Sequence, residues 1–132
     1  MLRAACDKIA LGLILLLGSA ITTGCRPRQA LARGGALGDP ARGAVLIAKE
    51  GCGSCHSIRQ IAGAHGRVGP PLDNIAERSY IAGVLPNTPE NLVAWVQAPQ
   101  RVVPGNIMPD MGLSRRDAED IAAYLYTLRD GD

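Results

Sequence analysis

Apolar positions in this chain form one unbroken run near the start and then four short periodic stretches. Ile9 to Ile21 carries no charge, with Arg3 and Lys8 ahead of it and the small residues Thr22, Thr23 and Gly24 behind. This is the pattern of an export signal over residues 1–24, and the run is short of the about 20 apolar residues a membrane span needs. Residues 25–38 have no apolar period, include Gly34 and Gly35, and are expected to be a flexible tether. Asp39-Pro40 then gives an N-cap acceptor followed by proline at the first helical position, which predicts a helix over Ala41 to Glu50, ended by Gly51. A second short helix is expected from Asp73 to Arg78. Thr88-Pro89-Glu90 repeats the start signal, and Leu92, Val93, Trp95 and Val96 mark a third helix stopping before Pro99. The fourth is the clearest. Ser114 caps it with Asp117 three residues on, Ala118, Ile121, Ala122, Leu125 and Leu128 make one apolar stripe, and the acids sit early with Arg129 late. No strand pattern or repeat stands out, so residues 39–132 are expected to form one all-α domain.

That domain is short of large apolar side chains. Phenylalanine is absent, and Trp95, Tyr80, Tyr124 and Tyr126 are all the aromatics. A domain this small with so thin a core calls for a staple, a metal or a cofactor to fill its middle. Charge excludes one class of partner: from Asp39 onward there are nine basic and eleven acidic residues and no basic patch, so nucleic acid is not expected. The segment Ala98 to Gly112 is rich in proline and glycine and contains Met108 and Met111. A loop of that length inside a compact domain usually carries function.

The chemistry centres on Cys52-Gly53-Ser54-Cys55-His56, the C-x-x-C-H attachment signature of c-type haem. Two cysteines at this spacing reach the two vinyl groups on one porphyrin edge as thioethers, and the adjoining histidine projects beneath the ring to the iron. Three rivals fare worse. A thioredoxin-like pair needs a βαβ pattern, which is missing. A zinc site on Cys52, Cys55, His56 and perhaps His65 needs better-spaced pairs. A disulfide would close too small a loop to stabilise much. His65, in a glycine-flanked loop, is expected at the surface. For the sixth iron ligand, Met108 offers a soft thioether, with Pro109 stiffening the loop behind it; the plain alternative is a methionine filling a core gap.

Several motifs in one order now resemble a known family, the monohaem class I cytochromes c. They are C-x-x-C-H, Gly69-Pro70-Pro71-Leu72, Trp95-x-x-x-Pro99, Pro104-Gly105-x-x-Met108, and Asp120-Ile121-Ala122-Ala123-Tyr124-Leu125. The resemblance covers Asp39 to Arg129 and implies a cytochrome c fold of about four short helices around one covalent haem. It implies that Met108 rather than Met111 is the second axial ligand to His56, and that the Pro70 carbonyl accepts the other ring N–H of that histidine, fixing the ring. It places Trp95 beside the haem and the methionine, where core packing is an equal reading of its role. Arg78 and Asn106, and more weakly Tyr80, match positions that contact haem propionates. Gly43 and Tyr124 match a close crossing of the first and last helices, although Ile47 stands where relatives often have an aromatic.

With both axial positions held by protein, the iron has no site for substrate, so the expected function is one-electron transfer rather than catalysis. The expected partners are a donor and an acceptor such as a dehydrogenase and a terminal oxidase. The alternatives are a haem gas sensor or haem enzyme in which Met108 dissociates, and a fixed electron-entry subunit of a larger oxidoreductase. Residues up to Gly24-Cys25 also resemble the lipobox of bacterial lipoproteins, with Thr22 where leucine is more usual. That resemblance implies lipidation at Cys25 and a location on the periplasmic side of a bacterial membrane. Lys49 is the single lysine beyond the signal, so no lysine ring surrounds the haem edge.

Overall fold

The computed structural model describes residues 37–130. The expected signal and its Cys25 lie outside the described residues, as does the tether up to Ala36. Leu37 already packs against the core, so the folded domain reaches back two residues into the stretch expected to be tether.

Helix α1 spans Pro40–Lys49, and its cap is the one the sequence advertises: the Asp39 side chain accepts from the N–H groups of Ala41 and Arg42. Helix α4 spans Arg115–Leu125. Ser114 accepts from the Asp117 N–H at 3.1 Å and its hydroxyl donates back to the Asp117 carboxylate at 2.6 Å. These two helices cross at Gly43. A Cβ there would sit 2.0 Å from the Asp120 carbonyl oxygen and 2.9 Å from Tyr124 Cβ, so only glycine permits the approach. Ile47 is buried beside the crossing, an aliphatic filling where an aromatic was the family expectation. A buried carboxylate clasps the pair: Asp120 accepts from the Asp39 N–H at 2.7 Å and from the Arg42 guanidinium, which also reaches Asp117. Buried charge is tolerated because it is paired on both oxygens.

Between them lie shorter pieces. The helix expected over Asp73 to Arg78 is only a 3₁₀ turn, Ile75–Glu77, with Arg78 already extended. Six residues hold too few intrahelical bonds to offset nucleation, and one buried anchor, Ile75, is all this turn contributes. A two-stranded antiparallel hairpin follows, β1 (Tyr80–Ile81) against β2 (Leu85–Pro86), in the register Tyr80 to Pro86 and Ile81 to Leu85. No strand signal precedes this hairpin in the sequence, because two-residue strands are too short to alternate. The turn between them puts Ala82 (φ 51°) and Gly83 (φ 74°) in left-handed backbone, closed by Val84 N–H to Ile81 O at 3.1 Å. Helix α2 (Pro89–Gln97) is capped by Thr88 and buries Leu92, Val93 and Val96. Part of the expected loop is helical too, since α3 occupies Pro99–Val102. At the C-terminus α4 stops at Leu125 rather than running on to Arg129. Leu128 is nevertheless buried, because the chain tightens through Thr127 N–H to Tyr124 O and Leu128 N–H to Leu125 O.

The fold is therefore mostly helical, with α1, α2 and α4 as its frame. Among the described residues no helix is long and apolar enough to cross a membrane.

Candidate cofactor site

The aliphatic core does not close on itself. Ile47, Ile75, Ile81, Leu92, Ile121 and Leu125 face one another across a cavity of about 420 Å³, within the range of cofactor pockets. Its walls are almost wholly carbon. Other chemistry enters at Cys52, Cys55, His56, Met108 and Met111, and at the polar residues Glu50, Ser54, Arg78, Tyr80 and Asn106.

The attachment motif stands at the end of α1. Gly51 turns the chain in left-handed backbone (φ 74°), and Cys52–Ser54 forms a 3₁₀ turn that bonds the His56 N–H to the Cys52 carbonyl at 2.9 Å. One tight turn thus presents both thiols and the imidazole to the same cavity. The loop beyond is stitched back over this turn by Gly66 N–H to Gly53 O (3.0 Å) and Gly69 N–H to Cys55 O (2.9 Å). Gly69 lies flat against the imidazole: a Cβ there would stand 2.2 Å from Cε1 and 2.6 Å from Nδ1. His56 Nδ1 donates to the Pro70 carbonyl at 2.8 Å, which fixes the tautomer and leaves the Nε2 electron pair for a metal.

Burial pushes the Cys52 thiol up, the opposite of the lowered value that marks a reactive redox thiol. Cys52 and Cys55 are both free thiols, so the disulfide reading is not met. His65 is exposed, outside the cavity wall, paired with Ser57 in an isolated bridge.

The structure brings most of the expected site residues to this cavity: Cys52, Cys55, His56, Pro70, Arg78, Tyr80, Trp95, Asn106, Met108 and Met111 all line it. Trp95 is partly buried on α2, and Tyr80 stands largely exposed on β1 at the mouth. Arg78 bonds through Nη2 alone, to the Pro71 carbonyl and to Asn74 Oδ1, so its other nitrogens keep a cation at the rim for an anionic group. Asn106 departs from expectation. Its two amide hydrogens go to the carbonyls of Pro99 (3.0 Å) and Val103 (2.7 Å), and its Oδ1 accepts the Met108 N–H at 2.8 Å. Nothing remains to donate to a propionate, so Asn106 shapes the methionine loop instead. Two residues received no role of their own from the sequence. Gly69 was legible only as part of a motif, and Gln100, which also binds the methionine loop, offered no signal beyond being a polar residue after a proline.

A cavity walled by aliphatic carbon, with two thiols on one turn, an oriented imidazole and a cationic rim, fits a large flat apolar cofactor with an acidic edge. The comparisons with known proteins agree. Residues 40–129 match the family model described as Cytochrome c. The chain is 31% identical over 106 residues to cytochrome c2 of Agrobacterium tumefaciens, covering 67% of this chain and 90% of that protein. It is 37% identical over 89 residues to cytochrome c oxidase subunit 2 of Alkalihalophilus pseudofirmus and 32% over 87 residues to that of Bacillus subtilis. Those matches cover 67% and 64% of this chain but 25% and 24% of the oxidase subunits, so the chain spans about a quarter of their length. Among solved structures, SoxXA from P. pantotrophus superposes with a TM-score of 0.56 at 21% identity, covering 73% of this chain and 85% of that one, a likeness of fold. The chain belongs to the cytochrome c family, class I.

Proposed function

We propose that the protein holds one haem, bonded through Cys52 and Cys55 and ligated by His56 Nε2 and Met108 Sδ, and that it passes single electrons to an oxidase. The observation that carries this reading is the commitment of His56 Nδ1 to Pro70, which leaves Nε2 as the ring's one ligating atom beside a cavity that both thiols and Met108 also line. Each thiol adds across a vinyl double bond, sulfur to one carbon and hydrogen to the other, so nothing is released. The haem supplies the Fe(II)/Fe(III) couple. The chain's own residues hold its geometry alike in both states, shield it from water with aliphatic walls, and leave no coordination position for substrate.

The gas-sensor alternative needs a polar donor free to meet a bound gas beside the sixth ligand. Both hydrogens of the Asn106 amide are already spent within the loop, so that residue does not supply it. An oxidase-type acceptor is supported by the oxidase subunits in which a matching stretch makes up about a quarter of the chain. The proposed setting is the periplasmic side of a bacterial membrane, with Cys25 lipidated.

Purification from membranes, an absorption spectrum and an intact mass test these points together. The expected sample is coloured, carries the mass of one haem with no leaving group, and gains a lipid mass that Cys25→Ala abolishes along with membrane retention. Colourless protein with two titratable thiols, matured in a host competent for cytochrome c, overturns the proposal.

A further inference from the structure

Two side-chain amides, Gln100 and Asn106, frame the turn that carries Met108. Gln100, half-buried at the start of α3, donates from Nε2 to the carbonyl oxygens of Asn106 (2.9 Å) and Met108 (2.7 Å), and its Oε1 accepts the Gly105 N–H at 3.0 Å. Asn106 completes the frame from inside the loop by accepting the Met108 N–H. Met108 is therefore gripped at both of its backbone polar groups by two side-chain amides.

The Asn106 amide also ties the loop to the carbonyls of Pro99 and Val103, and Asp110 accepts the Gln100 N–H at 3.3 Å, but apolar burial adds little. Pro104 and Pro109 have no N–H to give, Gly105 adopts left-handed backbone (φ 80°), and Ile107 is 78% exposed, so burial anchors the turn weakly. A loop with few buried apolar contacts opens easily unless hydrogen bonds restrain it.

We infer that Gln100 is the positioning residue of the methionine ligand: its grip on the Met108 carbonyl keeps the loop closed and so keeps outside ligands from the sixth iron position. This deepens the reading of Met108 as an axial ligand and rests on it. Because Gln100 holds main-chain atoms, the loop's exposed side chains are free to vary without loosening the sulfur.

The test uses the haem-loaded full chain in four forms: unmodified, Gln100→Leu, Gln100→Glu, and Arg101→Ala as an exposed neighbour outside the frame. The measurements are the thioether-to-ferric-iron charge-transfer absorption, carbon monoxide uptake by the reduced protein, and thermal unfolding. Loss of three side-chain bonds in Gln100→Leu is expected to weaken the charge-transfer band and speed carbon monoxide uptake by about tenfold or more. Arg101→Ala is expected to match the unmodified protein within about twofold. Gln100→Glu keeps the acceptor for Gly105 and loses both donors, so it too is expected to take up carbon monoxide faster near neutral pH. That variant also serves if Gln100→Leu fails to fold. A charge-transfer band in the unmodified protein with unchanged uptake in both Gln100 variants overturns the inference while ligation by Met108 stands. Absence of the band together with fast uptake in the unmodified protein overturns both.

Discussion

Preventing haem attachment should cost this domain its fold, and the size of the hole says why. The perturbation is Cys52→Ala with Cys55→Ala, which removes both attachment points while leaving the aliphatic walls intact. The cavity those walls enclose is about 420 Å³. At about 24 cal/mol per Å³ of unrelieved cavity, an empty space of that volume costs on the order of 10 kcal/mol. A domain of this length is worth about 5 to 14 kcal/mol in total. The two figures are the same size, so the haem-free chain has no margin with which to keep the cavity open. Collapse of the walls offers little relief, because α1 and α4 are pinned at Gly43 and cannot approach further. Circular dichroism, dye binding to exposed apolar surface and thermal melting of the double variant provide the assay. The expected product has much reduced helicity, binds the dye and shows no cooperative melt. A sharp, cooperative unfolding transition in haem-free protein, with helicity equal to the loaded form, would refute the reasoning.

Other expectations follow from single contacts. Gly69→Ala would drive a Cβ more than 1 Å inside ordinary contact with the His56 ring; tilting the ring weakens its bond to Pro70, and loss of about 1 kcal/mol of ligand basicity should raise the midpoint potential by roughly 40 mV in a redox titration. Ala82 holds a left-handed backbone at φ 51°, so Ala82→Gly should stabilise the loaded protein by about 0.5 to 1 kcal/mol in denaturant titrations, and a destabilised variant would contradict this. The Asp117 carboxylate is held below its usual range, first by the Ser114 hydroxyl and then by Arg42. A depressed folded-state pKa stabilises fully above the unfolded value of about 3.9 and fades as pH falls through the folded one, so Asp117→Asn should flatten the acid limb of a stability–pH profile below about pH 4. Finally, the mouth of the cavity exposes Val68 (60%), Tyr80 (59%) and Ile107 (78%), while the one described lysine, Lys49, is paired with Glu50. Electron transfer to the acceptor should therefore change little with ionic strength, and a steep fall with added salt in stopped-flow measurements would count against an apolar docking face.

What could be read from the sequence is what neighbouring residues decide between themselves. Asp39-Pro40, Thr88-Pro89 and Ser114 announce α1, α2 and α4 because a cap is a bond within three residues of the side chain that makes it. Cys52, Cys55 and His56 likewise sit on one turn, so their convergence needs no knowledge of the rest of the chain. The expected acceptor for His56 came from family resemblance, and His56 Nδ1 stands 2.8 Å from the Pro70 carbonyl. The hairpin at Tyr80 to Pro86 and the short α3 left no periodic trace, since neither is long enough to repeat. Gln100 and the true engagement of Asn106 were invisible for another reason. Their partners are main-chain carbonyls and amides, which every residue carries, so no side-chain pattern marks them.

The cofactor was legible in the C-x-x-C-H string and, independently, as a deficit. A domain without phenylalanine and with four aromatics has too little side-chain volume to fill the space its helices enclose, and the structure puts that missing volume in one place, beside the two thiols and the imidazole. The residues that would be core in an ordinary small helical domain, such as Ile47, Leu92 and Ile121, instead form the wall of a site. In this protein much of the hydrophobic core doubles as the wall of the functional pocket. Substitutions that enlarge or shrink that wall should accordingly move stability and haem properties together, whereas changes in the frame of Gln100 and Asn106 should separate them.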